Sequence, residues 1–296
     1  MDLRWIPRTF SIVLLVLALA APLAADEAPV ARRIVSLNPS LTAILVALGA
    51  GDRLVGVDAW SKRQNPQLAG LAAVGGLYTP NLEALVALAP DRVLLVPSAE
   101  QRDFQERLAA LGIRVERFDP VRFEEVLASI DGLGRIAGRE AQAQARIAAI
   151  RAARLEVERA VAGRAQPRTV LVLQRDPLFV VGGGNFIDEM LATAGARNVA
   201  GAWEGGYPRV SLEWLVAQAP EVILDASHDA EPAVDYWTRW ASLPAVVQGR
   251  VVALPSGSAT LPGPALDEAL RLLARSVHGA GVLAAEARAD PGRARP

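Results

Sequence analysis

Short runs that read as buried strands stand at residues 33–37, 54–58, 92–96 and 114–118. Amphipathic stretches lie between them, at 40–48, 81–89 and 104–111. The alternation resumes in the second half. Strand-like runs occur there at 169–173, 179–181, 222–225 and 251–254, with helix-like stretches at 187–194, 212–219 and 265–278. Such alternation predicts mostly parallel sheets covered by helices, an α/β fold. The two halves are separated by a stretch of another kind. Residues 139–162 contain neither Pro nor Gly and are nearly all good helix formers. About 24 residues at 1.5 Å each make a rod of roughly 36 Å, and Gly163 and Pro167 supply stop signals. The pattern predicts two Rossmann-like lobes, residues 32–138 and 168–283, joined by one long rigid α-helix over 139–163.

An internal repeat supports two lobes of similar build. Residues 81–96 align with 211–226, and eight of the sixteen positions are identical. Each copy reads as an N-cap (Asn81, Ser211), a short helix, a proline stop (Pro90, Pro220), an acidic residue and a strand. Glu83 and Glu213 hold the same place in the two copies, in the first helical turn. A carboxylate there is favoured by the helix dipole. As a pair, one per lobe, the two suit docking onto a two-fold symmetric partner with basic pockets.

Composition narrows the class. Hydrophobic residues make up 52% of the 296, too many for a disordered chain. Arg4 and Arg8, an apolar run over 10–21, and Ala24-Ala25 before Asp26 and Glu27 have the order of a signal peptide spanning 1–25. Its core is short for a bilayer span. There is no cysteine, which rules out a cysteine-linked lipid anchor, disulfides and thiol chemistry. Net charge is −1, and removing Asp2, Arg4 and Arg8 with the leader takes it to about −2, no footprint for nucleic acid. Residues 284–296, mostly Ala, Arg, Asp, Gly and Pro, read as a disordered tail.

Aromatic residues are only 5% of the chain, so their placement is informative. Trp60 follows the strand-like run 54–58. Tyr78 lies in the loop before the first repeat copy, and Tyr207, with Trp203 nearby, in the loop before the second. Aromatics there can line an interlobe cleft and stack on a flat ligand. Trp237 and Trp240, three apart, suit core packing. Gly182-Gly183-Gly184-Asn185 has no Lys-Ser/Thr after it, and Ile187 stands where a dinucleotide loop needs its third glycine, so a tight turn is expected instead. The two histidines, His228 and His278, make no paired metal motif, and no nucleophile motif exists. No metal or catalytic site is expected. A periplasmic enzyme is the rival from another class.

The chain resembles the substrate-binding proteins of vitamin B12, haem and siderophore importers. The resemblance rests on residues 33–40 (Arg-Ile-Val-Ser-Leu-Asn-Pro-Ser), 49–57, 74–76, 80–83, Gly182 with 186–191, 194–198 (Ala-Gly-Ala-Arg-Asn), and 207–213 (Tyr-Pro-Arg-Val-Ser-Leu-Glu). These span about 32–280 in the expected order. Asn81-Leu82-Glu83 and Tyr207-Pro208-Arg209-Val210-Ser211 are most similar to the cobalamin-binding members. The resemblance implies a monomeric periplasmic binding component of an ABC importer, with cobalamin as transported ligand and no cofactor. Haem or a ferric siderophore is the alternative ligand. It implies that Glu83 and Glu213 meet arginines on the two permease subunits. Trp60, Tyr78 and Tyr207 would surround the ligand, with Trp203 close by. Arg209 and Arg175 are the candidate cleft arginines for a siderophore. Residues 256–264, after the last strand, hold only Ser, Thr, Gly, Ala, Leu and Pro, where cobalamin binders carry polar and aromatic groups.

Overall fold

The computed structural model describes residues 30–97, 102–204 and 206–284. The expected signal peptide and nearly all of the expected tail lie outside the described residues. The first lobe runs β1 (Ile34–Ser36), α1 (Pro39–Ala47), β2 (Leu54–Val57), α2 (Ala59–Gln64), β3 (Ala72–Ala73), α3 (Leu82–Ala87), β4 (Arg92–Leu95), α4 (Arg102–Ala110), β5 (Val115–Arg117) and α5 (Phe123–Ala137). Helix α6 (Glu140–Val161) follows, 22 residues or about 33 Å long. The second lobe holds β6 (Arg168–Gln174), β7 (Phe179–Val180), α7 (Phe186–Thr193), β8 (Arg197–Asn198), α8 (Leu212–Gln218), β9 (Val222–Asp225), α9 (Ala233–Trp237), α10 (Pro244–Val247), β10 (Val251–Ala253) and α11 (Leu266–His278).

The first sheet is parallel throughout, in the order β3-β2-β1-β4-β5. The second is ordered β10-β9-β6-β7, with β8 also paired to β6; only the β6–β7 pair is antiparallel. The central strands are buried on both faces, and alternate residues divide between two layers. Leu94, Leu171 and Leu224 face one core that is continuous through both lobes, built with α1, α5, α6, α7 and α11. Their neighbours face outer cores private to each lobe: Val93 and Leu95 in the first, Val170, Val172 and Ile223 in the second.

Helix α6 buries Ala143, Ile147, Ile150, Ala153, Val157 and Ala160, a stripe at three- and four-residue spacing. It is tied to α5 by Arg151–Glu124 at 2.8 Å and to α11 by Arg271–Glu156 at 2.8 Å and by Arg146–Asp267. Gly134 permits the close approach of α5, since a Cβ there would stand 2.5 Å from the Ala143 methyl. A second seam joins the lobes directly. The Phe186 N–H donates to the Val121 carbonyl at 2.8 Å, the Phe123 N–H to Glu189 at 3.3 Å, and Arg122 pairs with Glu189.

The repeat helices end three and two residues before their prolines, α3 at Ala87 and α8 at Gln218. Ala89 and Ala219 take left-handed backbone, φ 42° and 44°, and close α3 and α8 by donating to Val86 and Val216. A residue before proline is disfavoured in right-handed helical conformation, so the stop precedes the ring.

Candidate functional site

The segments that follow β1 and β2 in the first lobe and β9 and β10 in the second meet between the lobes, beyond the C-terminal ends of these strands, the usual place for a ligand in open α/β sheets. A cavity of about 370 Å³ opens there, lined from the first lobe by Pro39, Trp60 and Gln64 and from the second by His228, Ser256 and Leu261, among others.

Trp60 is placed by the cap of α2. The buried Asp58 carboxylate accepts from the Trp60 and Ser61 N–H groups, both at 2.9 Å, and from the Ser61 hydroxyl. The indole remains 47% exposed, with the Arg63 guanidinium 5.5 Å from its ring centre. On the facing side, Asp225 at the end of β9 organises the loop that carries His228. Its Oδ2 accepts from Arg175 at 2.9 Å and from the Trp237 indole at 2.6 Å, and its Oδ1 from the Ser227 N–H and hydroxyl. Arg175 also donates to the Glu231 carbonyl at 2.6 Å and stacks 4.7 Å from the Tyr236 ring centre. Trp237 is fully buried and Trp240 packs on the same core, as their spacing suggested.

Four aromatic side chains are exposed among the described residues: Trp60, Tyr78, Trp203 and Tyr207. They are the four that the sequence singled out. Only Trp60 lines the 370 Å³ cavity. Tyr78 stands in the turn bridged by Gly75 and Pro80. Trp203 rests on Trp214 of α8, ring centres 4.9 Å apart. Tyr207 sits before Pro208, whose carbonyl accepts from the Val180 N–H, and partial burial raises its phenol above the ordinary value. Arg209 is exposed, its backbone bridged to Phe179.

The glycine turn at 182–184 serves this loop. The Gly182 N–H donates to the Gly206 carbonyl and the Gly183 N–H to the Trp203 carbonyl, both at 2.9 Å. A Cβ on Gly183 would stand 2.1 Å from the Gly201 carbonyl oxygen, so no other residue lets the two segments lie so close. The turn therefore sets the loop bearing Trp203 and Tyr207.

Arg175 is committed to the buried ion pair and is not free to meet a ligand. Glu83 and Glu213 are exposed on α3 and α8, each behind a formed cap: Asn81 accepts from the Ala84 N–H at 2.9 Å, Ser211 from the Trp214 N–H at 3.2 Å. The Glu213 carboxyl is held below the usual range, first by its backbone N–H and then by the Ser211 hydroxyl. His228 is the site residue that motif reasoning passed over. An isolated loop histidine carries no sequence signal beyond its place after a parallel strand.

A larger cavity, about 1030 Å³, lies at the foot of the second lobe against the start of β6, lined in part by Arg164, Arg250, Arg275 and His278. Arg164 and Arg250 there cap the carbonyls of Ala160 and Val277 at helix ends, so their charge is already used. It carries no exposed aromatic, and the interlobe cavity is the better candidate site. Among the described residues no cluster of three or more side chains could hold a metal ion, and no helix is long and apolar enough to cross a membrane.

Residues 34–257 match the family model described as periplasmic binding protein. The vitamin B12-binding protein of Yersinia pseudotuberculosis is 31% identical over 222 residues, 74% of this chain and 76% of that one. Among solved structures, the periplasmic vitamin B12 binding protein of Vibrio cholerae superposes with a TM-score of 0.73 at 26% identity, covering 83% of this chain and 96% of that one. The periplasmic heme-binding protein of Roseiflexus sp. RS-1 in apo form gives a TM-score of 0.73 at 25% identity, over 83% and 98%.

Proposed function

Because the chain belongs to the periplasmic binding protein family, we propose that it is the substrate-binding component of an ABC importer, carrying a corrinoid, cobalamin first, between its lobes. The observation that carries this reading is the exposed Trp60 indole in the wall of the interlobe cavity. Leaving this large ring in water forgoes its burial, and a flat, partly apolar ligand recovers it. The similarity to vitamin B12-binding proteins supports the same ligand. In this reading the leader 1–25 is removed after Ala25 and the mature chain works as a soluble monomer in the periplasm. Glu83 and Glu213, one per lobe, engage the two subunits of the permease.

Haem is the second reading, favoured by the 25% identical heme-binding structure. A catecholate siderophore is less well served, since Arg175 is withdrawn into its ion pair and leaves Arg209 alone of the two.

Titration calorimetry of the purified protein with cyanocobalamin and with haemin tests the reading. Saturable one-to-one binding of cyanocobalamin, weakened by about 1–2 kcal/mol on Trp60→Ala, is the expected result. Binding of haemin alone transfers the site to the second reading, and binding of neither removes both.

A further inference from the structure

The interlobe cavity is lined mostly by hydroxyls, amides and carbon: Ser61, Gln64, Asn65, Ser256, Ser258 and Thr260 supply the hydroxyl and amide groups. None of these is a good ligand for a late transition metal. His228 differs in kind. Its Nε2 lies 3.3 Å from the Ser256 hydroxyl, a single soft contact, and its side chain is exposed. Its backbone, by contrast, is held on both sides. Ser227 is tied to Asp225 twice, at 3.0 and 2.7 Å, and Arg175 reaches across to the Glu231 carbonyl at 2.6 Å and to Asp229 at 3.7 Å. A fixed loop thus presents a nitrogen base to the cavity that Trp60 lines from the other lobe.

We infer that His228 Nε2 coordinates the central cobalt of the bound corrinoid at an axial position. The inference rests on the corrinoid reading above. A corrinoid that carries its own nucleotide base has one axial position occupied internally. One that lacks the base has both positions filled only by exchangeable ligands. His228 can therefore reach either axial position of a base-free, incomplete corrinoid but only the one opposite the base in a complete corrinoid. The step is a ligand exchange: the neutral imidazole lone pair forms the Co–N bond, an axial water leaves, the cobalt keeps its oxidation state and no proton moves. The Ser256 contact is given up in the same step.

Electron paramagnetic resonance of the Co(II) form of cobinamide bound to the full-length mature protein tests this. One axial nitrogen splits each cobalt line into three, and into two when the protein is uniformly labelled with nitrogen-15. Both patterns are expected in the wild type and in His278→Gln, which alters the only other histidine. Both are expected to vanish in His228→Ala, with cobinamide affinity falling by about tenfold to a hundredfold, the range carried by loss of a metal-orienting group. Cobinamide bound without nitrogen splitting, or with splitting that survives His228→Ala, overturns the axial role and leaves the corrinoid reading standing. Failure of both cobinamide and cyanocobalamin to bind overturns the corrinoid reading itself, and this inference with it.

Discussion

The two copies of the repeat share a backbone plan, and of the eight positions at which they differ one changes the chemistry of the strand end. In each, the third position is an exposed glutamate, the fifth a fully buried leucine (Leu85, Leu215) and the ninth a left-handed alanine. The eleventh is an acid that ties down the first strand of its own lobe: Asp91 accepts from the N–H groups of Arg32 and Arg33, Glu221 from that of Arg168. Then the strands end differently. The first lobe has Leu95, buried in its outer core, where the second has Asp225, buried and holding Arg175, Ser227 and Trp237. The scaffold was kept while one strand end was rebuilt in ionic chemistry. That rebuilt end is the one that carries a base into the cleft.

The largest effect is expected where the copies are alike. If a two-fold partner reads them, Glu83→Lys and Glu213→Lys each lower uptake by a similar factor, and together by about a hundredfold or more, because like charges then face each other in a specific interface. Ligand affinity stays unchanged. Uptake and binding measured on the same variants check this; unequal single effects break the symmetry of the comparison, and normal uptake by the double variant ends the docking role.

Where the copies differ, stability is the readout. Asp225→Ala strands a buried guanidinium and is expected to cost about 3–5 kcal/mol in urea unfolding. Leu95→Ala at the matching place costs about 2–5 kcal/mol by cavity formation. The origins separate in the repair. Arg175→Met with Asp225→Leu recovers most of the first loss, short of about 1–3 kcal/mol for the orphaned Trp237 N–H.

The caps give a finer test. Asn81→Ala and Ser211→Ala are each expected to cost about 1 kcal/mol. In the second copy the change also moves the Glu213 carboxyl back up toward its ordinary range, followed by NMR titration.

A pH effect belongs to the second lobe. His278 donates to the Ala194 carbonyl at 3.0 Å, and its pKa is lowered chiefly by burial. The folded state then binds fewer protons than the unfolded one. The contribution is full above the unfolded value, about 6.5, and is lost as pH falls through the folded one. Unfolding free energy should decline below about pH 6.5, with a shallower slope in His278→Gln.

The smallest effect concerns the helix stops. Ala89→Gly and Ala219→Gly relieve a left-handed alanine but loosen the unfolded chain, and each is expected to change stability by less than about 0.5 kcal/mol.

Most of the fold was legible because the central strands are buried on both faces and the long helix lacks breakers. Helix α5 was missed because Gly132 and Gly134 sit inside it. In the fold they are contact points, Gly132 beneath the Phe118 ring and Gly134 against Ala143. Helix α2 is six residues long, too short for a period to show. At the site, scarcity exposed the aromatics: few rings, all at strand ends or before helices. The pairing of Arg175 with Asp225 was not legible, because the two lie 50 residues apart and meet only when β6 and β9 align. One clue did exist in the repeat itself, where Asp225 replaces the leucine of the first copy.

The second seam, from Val121 and Phe123 to Phe186 and Glu189, has a consequence for traffic at the membrane. Two halves that share one core and are stitched twice are expected to keep nearly one outline whether empty or filled. On the proposed reading, a permease gripping the outer tips feels little difference between a full carrier and a spent one, since equal affinity for two states shifts neither. Spent carriers would then queue against full ones for the same dock, and adding excess ligand-free protein to a reconstituted importer would slow uptake in proportion to the docks it occupies.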